Sequence, residues 1–321
     1  VASPAPLTIL HVDPSTEFRG GQRQLELLVQ GLAARGHRQT VACVPGSPLA
    51  ARLDVPILPL LPGNAPRNAL RLAGVPHQVV AAHTSHAHGA CVAAGLRPIV
   101  HRRVDFAVRS NTLKLRRARG FIAVSQAVAD ILARAGAQRV QVVHDGVPAC
   151  VPAEPAELGE GPIVLAVGAL VDHKDHATLA RAAERIEARV LVAGEGPLRS
   201  ELASTRLELL GQRDDVPALM ARAQVFVHPS KLEGMGQVVV EALRARIPVV
   251  ATAAGGVPEV VGAHGRIVPV GDAAALADAV RAALRGDHPD LHAAARHGDR
   301  FSVDEMVRRT EAAYDRLIEP S

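Results

Sequence analysis

Short runs of Val, Ile, Leu and Ala recur along the chain, and between them apolar residues fall at helical spacing. Residues 7–12 read as a strand. Residues 21–35 read as a helix, because Leu25, Leu28, Val29 and Leu32 follow the i, i+3, i+4, i+7 pattern. Gly36 suits the left-handed residue that ends such a helix. Further strands are predicted at 40–44, 79–82, 99–101, 121–124 and 140–143, and Ser125 is placed to cap a helix that follows it. After the Pro-, Glu- and Gly-rich stretch VPAEPAELGEGP (151–162), a second series begins, with strands at 163–167, 190–193, 207–210, 225–228 and 249–252. Strand–helix alternation of this kind makes parallel sheets covered on both faces. Two such series joined by one linker predict an α/β protein of two Rossmann-like domains facing a cleft. In open parallel sheets ligands bind beyond the carboxyl ends of the strands, so the loops after strands are where chemistry is expected.

Composition narrows the class. The 321 residues are 48% hydrophobic and only 2% aromatic, which predicts aliphatic cores. Cys43, Cys91 and Cys150 are far apart and odd in number, neither a disulfide framework nor a zinc ribbon, as suits a reducing compartment. The first residues lack the basic and apolar regions of a signal peptide, and no stretch is long and apolar enough to span a bilayer, so a cytoplasmic protein is expected. The net charge of +4 hides an asymmetry: residues 1–150 carry +10 and residues 151–321 carry −6. Such a split is an interaction signal. Between Arg97 and Arg119 lie eight basic residues with Asp105 as the one acid, and too few aromatics to stack nucleic-acid bases.

The most informative loop is HPSKLEGMGQVVVEA, which follows the strand at 225–228 and opens a helix near Gly236. Unpaired amides at a helix start, beside glycines that admit close approach, suit an anion. Glu233 in the loop would be free to accept from hydroxyls. Glu241, about a turn and a half into the helix, could bridge a vicinal diol with its two oxygens. Phosphates flanked by hydroxyl-rich groups describe a nucleotide-sugar. The plain alternative is an acidic loop followed by a solvent-facing helix. Lys174, in LVDHKDH after the strand at 163–167, could neutralise a diphosphate leaving group. Arg102, Arg103 and Asp105, in HRRVDF, could hold a phosphate or carboxylate, with an interdomain salt bridge as the alternative. His83, His86 and His88 do not have the spacing of a metal motif. In AGEGPLR, Arg199 stands where a dinucleotide fingerprint needs its third glycine, and Gly194 reads as a tight-turn residue.

The block HPSKLEGMGQVVVEALRARIPVVATAAGGVPEVV resembles the signature of the retaining GT-B glycosyltransferases of family four, also called group 1, in which two glutamates flank seven residues. FRGGQRQLELLVQGLAARGH, VVAAHTSHAH, HRRVDF, VSQAVADIL, VVHDGV, VGALVDHKDHATLARAA, LVAGEGPLRSEL and LLGQRDDVPALMARAQVFVHPS resemble the family's other segments in order, so the resemblance covers roughly residues 7–285. It implies an acceptor-binding domain at 1–150, a nucleotide-sugar domain at 151–302, and a final helix, 303–321, packing back on the first domain. The implied catalytic residues are Glu233 on donor-sugar hydroxyls, Lys174 on the diphosphate, and His83 near the donor sugar. Glu241 would hold the ribose. The amides of Gly234, Met235, Gly236 and Gln237 would hold the diphosphate or sugar, and the loop of Arg213 and Val216 the base. Gly20, Gly21, Gly168 and Gly194 would line the donor, and Arg102, Arg103 and Asp105 the acceptor. One departure stands out: Ala169 replaces an arginine usual in the family.

The resemblance further implies a metal-independent transfer with retention of configuration, without cofactor, in cell-surface glycan, lipopolysaccharide or glycolipid assembly. The implied partners are a nucleotide-sugar donor and an anionic or lipid-linked glycan acceptor, with weak association at an anionic membrane face and no nucleic acid. A nucleotide-sugar 2-epimerase and a non-catalytic nucleotide-sugar-binding subunit share the architecture and remain open.

Overall fold

The computed structural model describes residues 5–63, 66–106, 112–149 and 153–319; Arg109, Cys150 and the first two residues of the linker stretch lie outside them. The chain divides into two compact units, Val1–Gly146 with Val303–Ser321, and Val147–Ser302.

The first unit holds strands β1 (Thr8–Asp13), β2 (Arg38–Cys43), β3 (Ile57–Pro59), β4 (Val79–Ala82), β5 (Ile99–Arg102), β6 (Gly120–Ala123) and β7 (Val140–Val142). They form one parallel sheet in the order β3-β2-β1-β4-β5-β6-β7. The central strands are short and buried along nearly their whole length, as parallel strands covered on both faces must be. The helix Gly20–Ala34 buries Leu25, Leu28, Val29 and Leu32 completely, and Gly36 beyond it takes φ +86, a value only glycine adopts cheaply. The last helix, Val303–Ile318, contributes Met306, Val307, Ala313, Tyr314 and Leu317 to the same core as Leu28 and Leu32 of the first helix. Its Glu311, almost fully buried, accepts from Arg35 at 2.6 Å and from His37 at 2.7 Å.

The second unit holds β8 (Ile163–Val167), β9 (Arg189–Ala193), β10 (Leu207–Gly211), β11 (Val225–His228), β12 (Val249–Thr252) and β13 (Arg266–Val268). These pair in parallel in the order β10-β9-β8-β11-β12-β13. Its core is largely aliphatic, built on residues such as Leu165, Leu179, Val192, Val227 and Leu276, with Phe226 of β11 also fully buried. In each unit the strand order reverses once, between β1 and β4 and between β8 and β11. The loops leaving adjacent strands at such a reversal part in opposite directions and leave a crevice at the carboxyl edge.

Candidate active site

In the second unit, the loops leaving β8 and β11 bring Lys174 and Glu233 together. Lys174 Nζ donates to Glu233 Oε2 at 2.5 Å, and His228 Nε2 donates to the same oxygen at 3.0 Å. Ser230 Oγ lies 3.1 Å from that nitrogen. The loops are also tied by their backbones, Lys231 N donating to His173 O at 2.8 Å, while Lys231 Nζ reaches Asp172 and Asp175. Asp175 takes the left-handed conformation and caps the helix His176–Ala183 through Thr178, which fixes the turn that presents Lys174.

Glu233 is therefore not free, as the sequence suggested, but held by a cation and an imidazole. Burial is the largest influence on it and opposes ionisation. The His228 hydrogen bond and the Lys174 charge outweigh that and hold the carboxyl at about 2. Burial pushes His228 down from its ordinary value, against the upward pull of Glu233.

The helix Gln237–Arg244 starts immediately after Gly236, which has φ +89 and little room for a side chain beside Val239 and Val257. Gly234, Met235 and Gly236 are buried, so their backbone closely lines the helix start. Glu241 sits on the fifth position of this helix, about a turn and a half beyond Gly236, where the sequence placed it. It is half-buried, and burial raises its carboxyl against the pull of Arg244.

The glycines separate into two kinds. A Cβ on Gly194 (φ +153) would lie 2.0 Å from the Gly168 carbonyl oxygen, so the loops after β8 and β9 can meet only through glycine there. Gly168 itself would tolerate a Cβ at ordinary contact distance from Lys174 and His176. Gly20 begins the first helix with neither it nor Gly21 at positive φ, and a Cβ on Gly21 would meet nothing within 4 Å. Arg213 forms a two-pronged pair with Asp215 at 2.7 and 2.5 Å. Asp215 precedes the helix Val216–Arg222, so Arg213 and Val216 flank one loop turn.

In the first unit, His83 follows β4 and is buried against His11 of β1 and His101 of β5. His83 Nε2 lies 3.0 Å from His11 Nδ1, and its ring stacks on that of His101 at 4.5 Å between centroids. His101 Nε2 lies 2.9 Å from the Tyr314 hydroxyl. Arg103 Nε donates to Asp145 Oδ1 at 2.9 Å, an ion pair inside this unit rather than the interdomain bridge weighed from the sequence. Arg102 donates to the carbonyl of Phe106, and Asp105 sits half-buried in the same loop. His86 and His88 lie in the helix Ser85–Ala93, capped by Thr84. Among the described residues no three His, Cys, Asp or Glu side chains are grouped to hold a metal ion.

His228, Asp175, Asp145 and His11 were not foreseen. His228 carried a signal, a histidine closing a buried apolar strand just before the glutamate loop; the other three needed the fold.

Two family profiles match nearly end to end. Glycosyltransferase Family 4 covers residues 18–149, and Glycosyl transferases group 1 covers residues 161–286. The 2-deoxystreptamine glucosyltransferase of Streptomyces kanamyceticus is 30% identical over 85% of this chain and 78% of its own length. The lipopolysaccharide core biosynthesis mannosyltransferase LpsB of Rhizobium meliloti is 31% identical over 40% of each protein. In several other curated relatives the chain spans less than half of the relative's length. Among solved structures, Anabaena HepE in complex with UDP superposes with a TM-score of 0.83 at 20% identity, over 97% of this chain and 100% of that one.

Proposed function

The chain belongs to the GT-B glycosyltransferases of group 1, family four, and on that premise we propose that it moves a sugar from a nucleoside diphosphate sugar to an acceptor hydroxyl with retention of configuration. The observation that carries this reading is the cluster of Lys174, Glu233 and His228 at the point where the second sheet reverses, beside the Gly234–Gln237 turn. A diphosphate seated on the amides at that helix start is stabilised by the unpaired N–H groups and by Lys174. As Lys174 shares its charge with the phosphates, Glu233 Oε2 becomes an acceptor for donor-sugar hydroxyls. Glu241 takes the ribose diol, and the turn of Arg213 and Val216 the base. No carboxylate is assigned as a covalent nucleophile. The departing diphosphate takes the acceptor's proton on the same face of the sugar, and Lys174 and the amides stabilise the charge that grows there. The reaction needs no divalent ion, so transfer persists in EDTA.

The acceptor, anionic or lipid-linked, lies against the first unit, with Arg102, Arg103 and Asp105 facing it. Glycan assembly at an anionic membrane face suits the basic segment before β6, where Arg116 and Arg117 are exposed. No helix among the described residues is long and apolar enough to cross a membrane.

Thermal-shift measurements with UDP, GDP and ADP test the donor site. At about 100 times its Kd the matching diphosphate stabilises by about 2.7 kcal/mol. Glu233→Gln removes a charged acceptor worth about 1.5–3 kcal/mol, so turnover falls about tenfold to a hundredfold, whereas Glu241→Gln weakens the nucleotide. Wild-type kinetics in both variants would remove the site from this loop.

A further inference from the structure

The buried histidines of the first unit form a hydrogen-bond relay whose proton positions can be worked out from one end. Gln39 Nε2 donates to the Val29 carbonyl at 2.9 Å, so Gln39 Oε1 must be the atom facing His11 Nε2 at 3.0 Å. The reversed amide would set two acceptors against each other at Val29. His11 Nε2 therefore carries the proton, and in a neutral ring His11 Nδ1 is the lone pair. That lone pair faces His83 Nε2 at 3.0 Å, so His83 Nε2 carries a proton in turn. His83 Nδ1 is left as an acceptor, and Arg103 Nη1 lies 3.4 Å from it. Stacking on His101, itself bonded to Tyr314, fixes the plane of the His83 ring.

All of these groups sit in the first unit, and the rings are held neutral. Burial pulls His11 down to about 4 and drives His83 and His101 well below the ordinary histidine value, with Arg103 adding to the effect. Both nitrogens of His83 are therefore committed within the protein. The guanidinium of Arg103 is held at two points, Nε on Asp145 and Nη1 on His83. That leaves three N–H groups in a fixed plane at the carboxyl edge of the sheet, where β1 and β4 part.

We propose that His83 is a positioning residue rather than a sugar contact: locked as the Nε2–H tautomer by Gln39 and His11, it acts with Asp145 to aim Arg103 at an anionic group of the acceptor. The proposal rests on the reading of the first unit as the acceptor-binding side. It also explains why a cation stands beside three buried histidines, an arrangement that would be repulsive if any of them were protonated.

The test uses the whole chain labelled with 15N in histidine and arginine, and inorganic phosphate as the anion. In the wild type, the His83 nitrogen signals should report a proton on Nε2 and a lone pair on Nδ1, and the Arg103 Nε–H should give a sharp signal that phosphate shifts. Asparagine places its oxygen near the position of Nδ1, and glutamine places its amide near Nε2. His83→Asn should therefore keep phosphate binding within about twofold, while His83→Gln weakens it about tenfold, the worth of one such hydrogen bond. A proton on His83 Nδ1 in the wild type, which needs no variant to observe, would overturn the relay. Equal weakening in the two variants would overturn the positioning role. An Arg103 signal that phosphate leaves unmoved, with the tautomer as stated, would place the failure in the acceptor reading and reduce the relay to a structural one.

Discussion

Replacing Glu233 with glutamine keeps the shape of the side chain and removes the charge shared by Lys174 and His228. The effect on stability can be worked from the carboxyl itself. Its folded value of about 2 stands against an ordinary value of 4.5, and one unit is worth 1.36 kcal/mol, so ionised Glu233 contributes about 3 kcal/mol. The side chain is only 16% exposed, so solvent screens little of this. Because the folded value is the lower one, the contribution is complete above about pH 5 and is lost as pH falls toward 2. At pH 3 about half of it should survive. Glutamine resembles the protonated acid, so the gap between wild type and Glu233→Gln should be about 3 kcal/mol at pH 7 and about half that at pH 3. The chain has no tryptophan and its one tyrosine, Tyr314, lies in the first unit, so tryptophan and tyrosine fluorescence do not report this event. Hydrogen exchange at the amides of β11 and β12 in a urea series does. A gap that stays constant between pH 7 and pH 3, or a variant as stable as wild type at pH 7, would refute the account of the pair.

Other consequences are as direct. Gly194→Ala should cost the second unit more than about 3 kcal/mol, since it adds a clash with Gly168 to a forbidden φ, and should reduce soluble yield. Gly21→Ala, with open space around it, should change stability by no more than about 0.5 kcal/mol yet weaken donor or acceptor use if that helix start approaches a ligand; unchanged kinetics would remove Gly21 from the site. Glu311→Gln should loosen the last helix by about 2 kcal/mol, seen as faster amide exchange there. Burial works against that carboxylate, but Arg35 and His37 hold it below its ordinary value, so the effect should fade as pH falls through the carboxylate range. Charge reversal at Arg116 and Arg117 should weaken low-salt cosedimentation with anionic vesicles, each contact being worth about 1 kcal/mol, and leave nucleotide affinity intact; equal binding to neutral vesicles would refute the electrostatic reading.

The strands at 79–82, 163–167, 225–228 and 249–252 could be read to the residue, because a strand buried on both faces has no choice but a continuous apolar run. The edge strands β3 and β13 could not. Ile57–Pro59 is hemmed by prolines, and Arg266–Val268 mixes a charge into three residues, so neither has a period to detect. The same divide runs through the site. Lys174 and Glu233 could each be singled out from local chemistry, but their contact depends on β8 lying beside β11, across 59 residues of chain. Arg103 showed no protein partner in the sequence because Asp145, which accepts from its Nε, follows β7, two strands away across β6. Local pattern reports what an element is, and only topology reports what it touches.

The first unit is interrupted in the chain, and this has a consequence for how the protein is made. During synthesis the strands β1 to β7 emerge first, but the core they share with Met306, Val307, Tyr314 and Leu317 stays open until the last helix is released. At about 5–20 residues per second the wait is roughly ten to thirty seconds. The second unit, continuous from Val147 to Ser302, can close during that interval. Among the rings waiting for their partner is His101, whose hydroxyl neighbour, Tyr314, arrives last. The nascent first unit therefore presents unsealed apolar surface to the ribosome exit and to chaperones for longer than any other part of the chain. Moving Val303–Ile318 ahead of β1 by circular permutation would remove that delay.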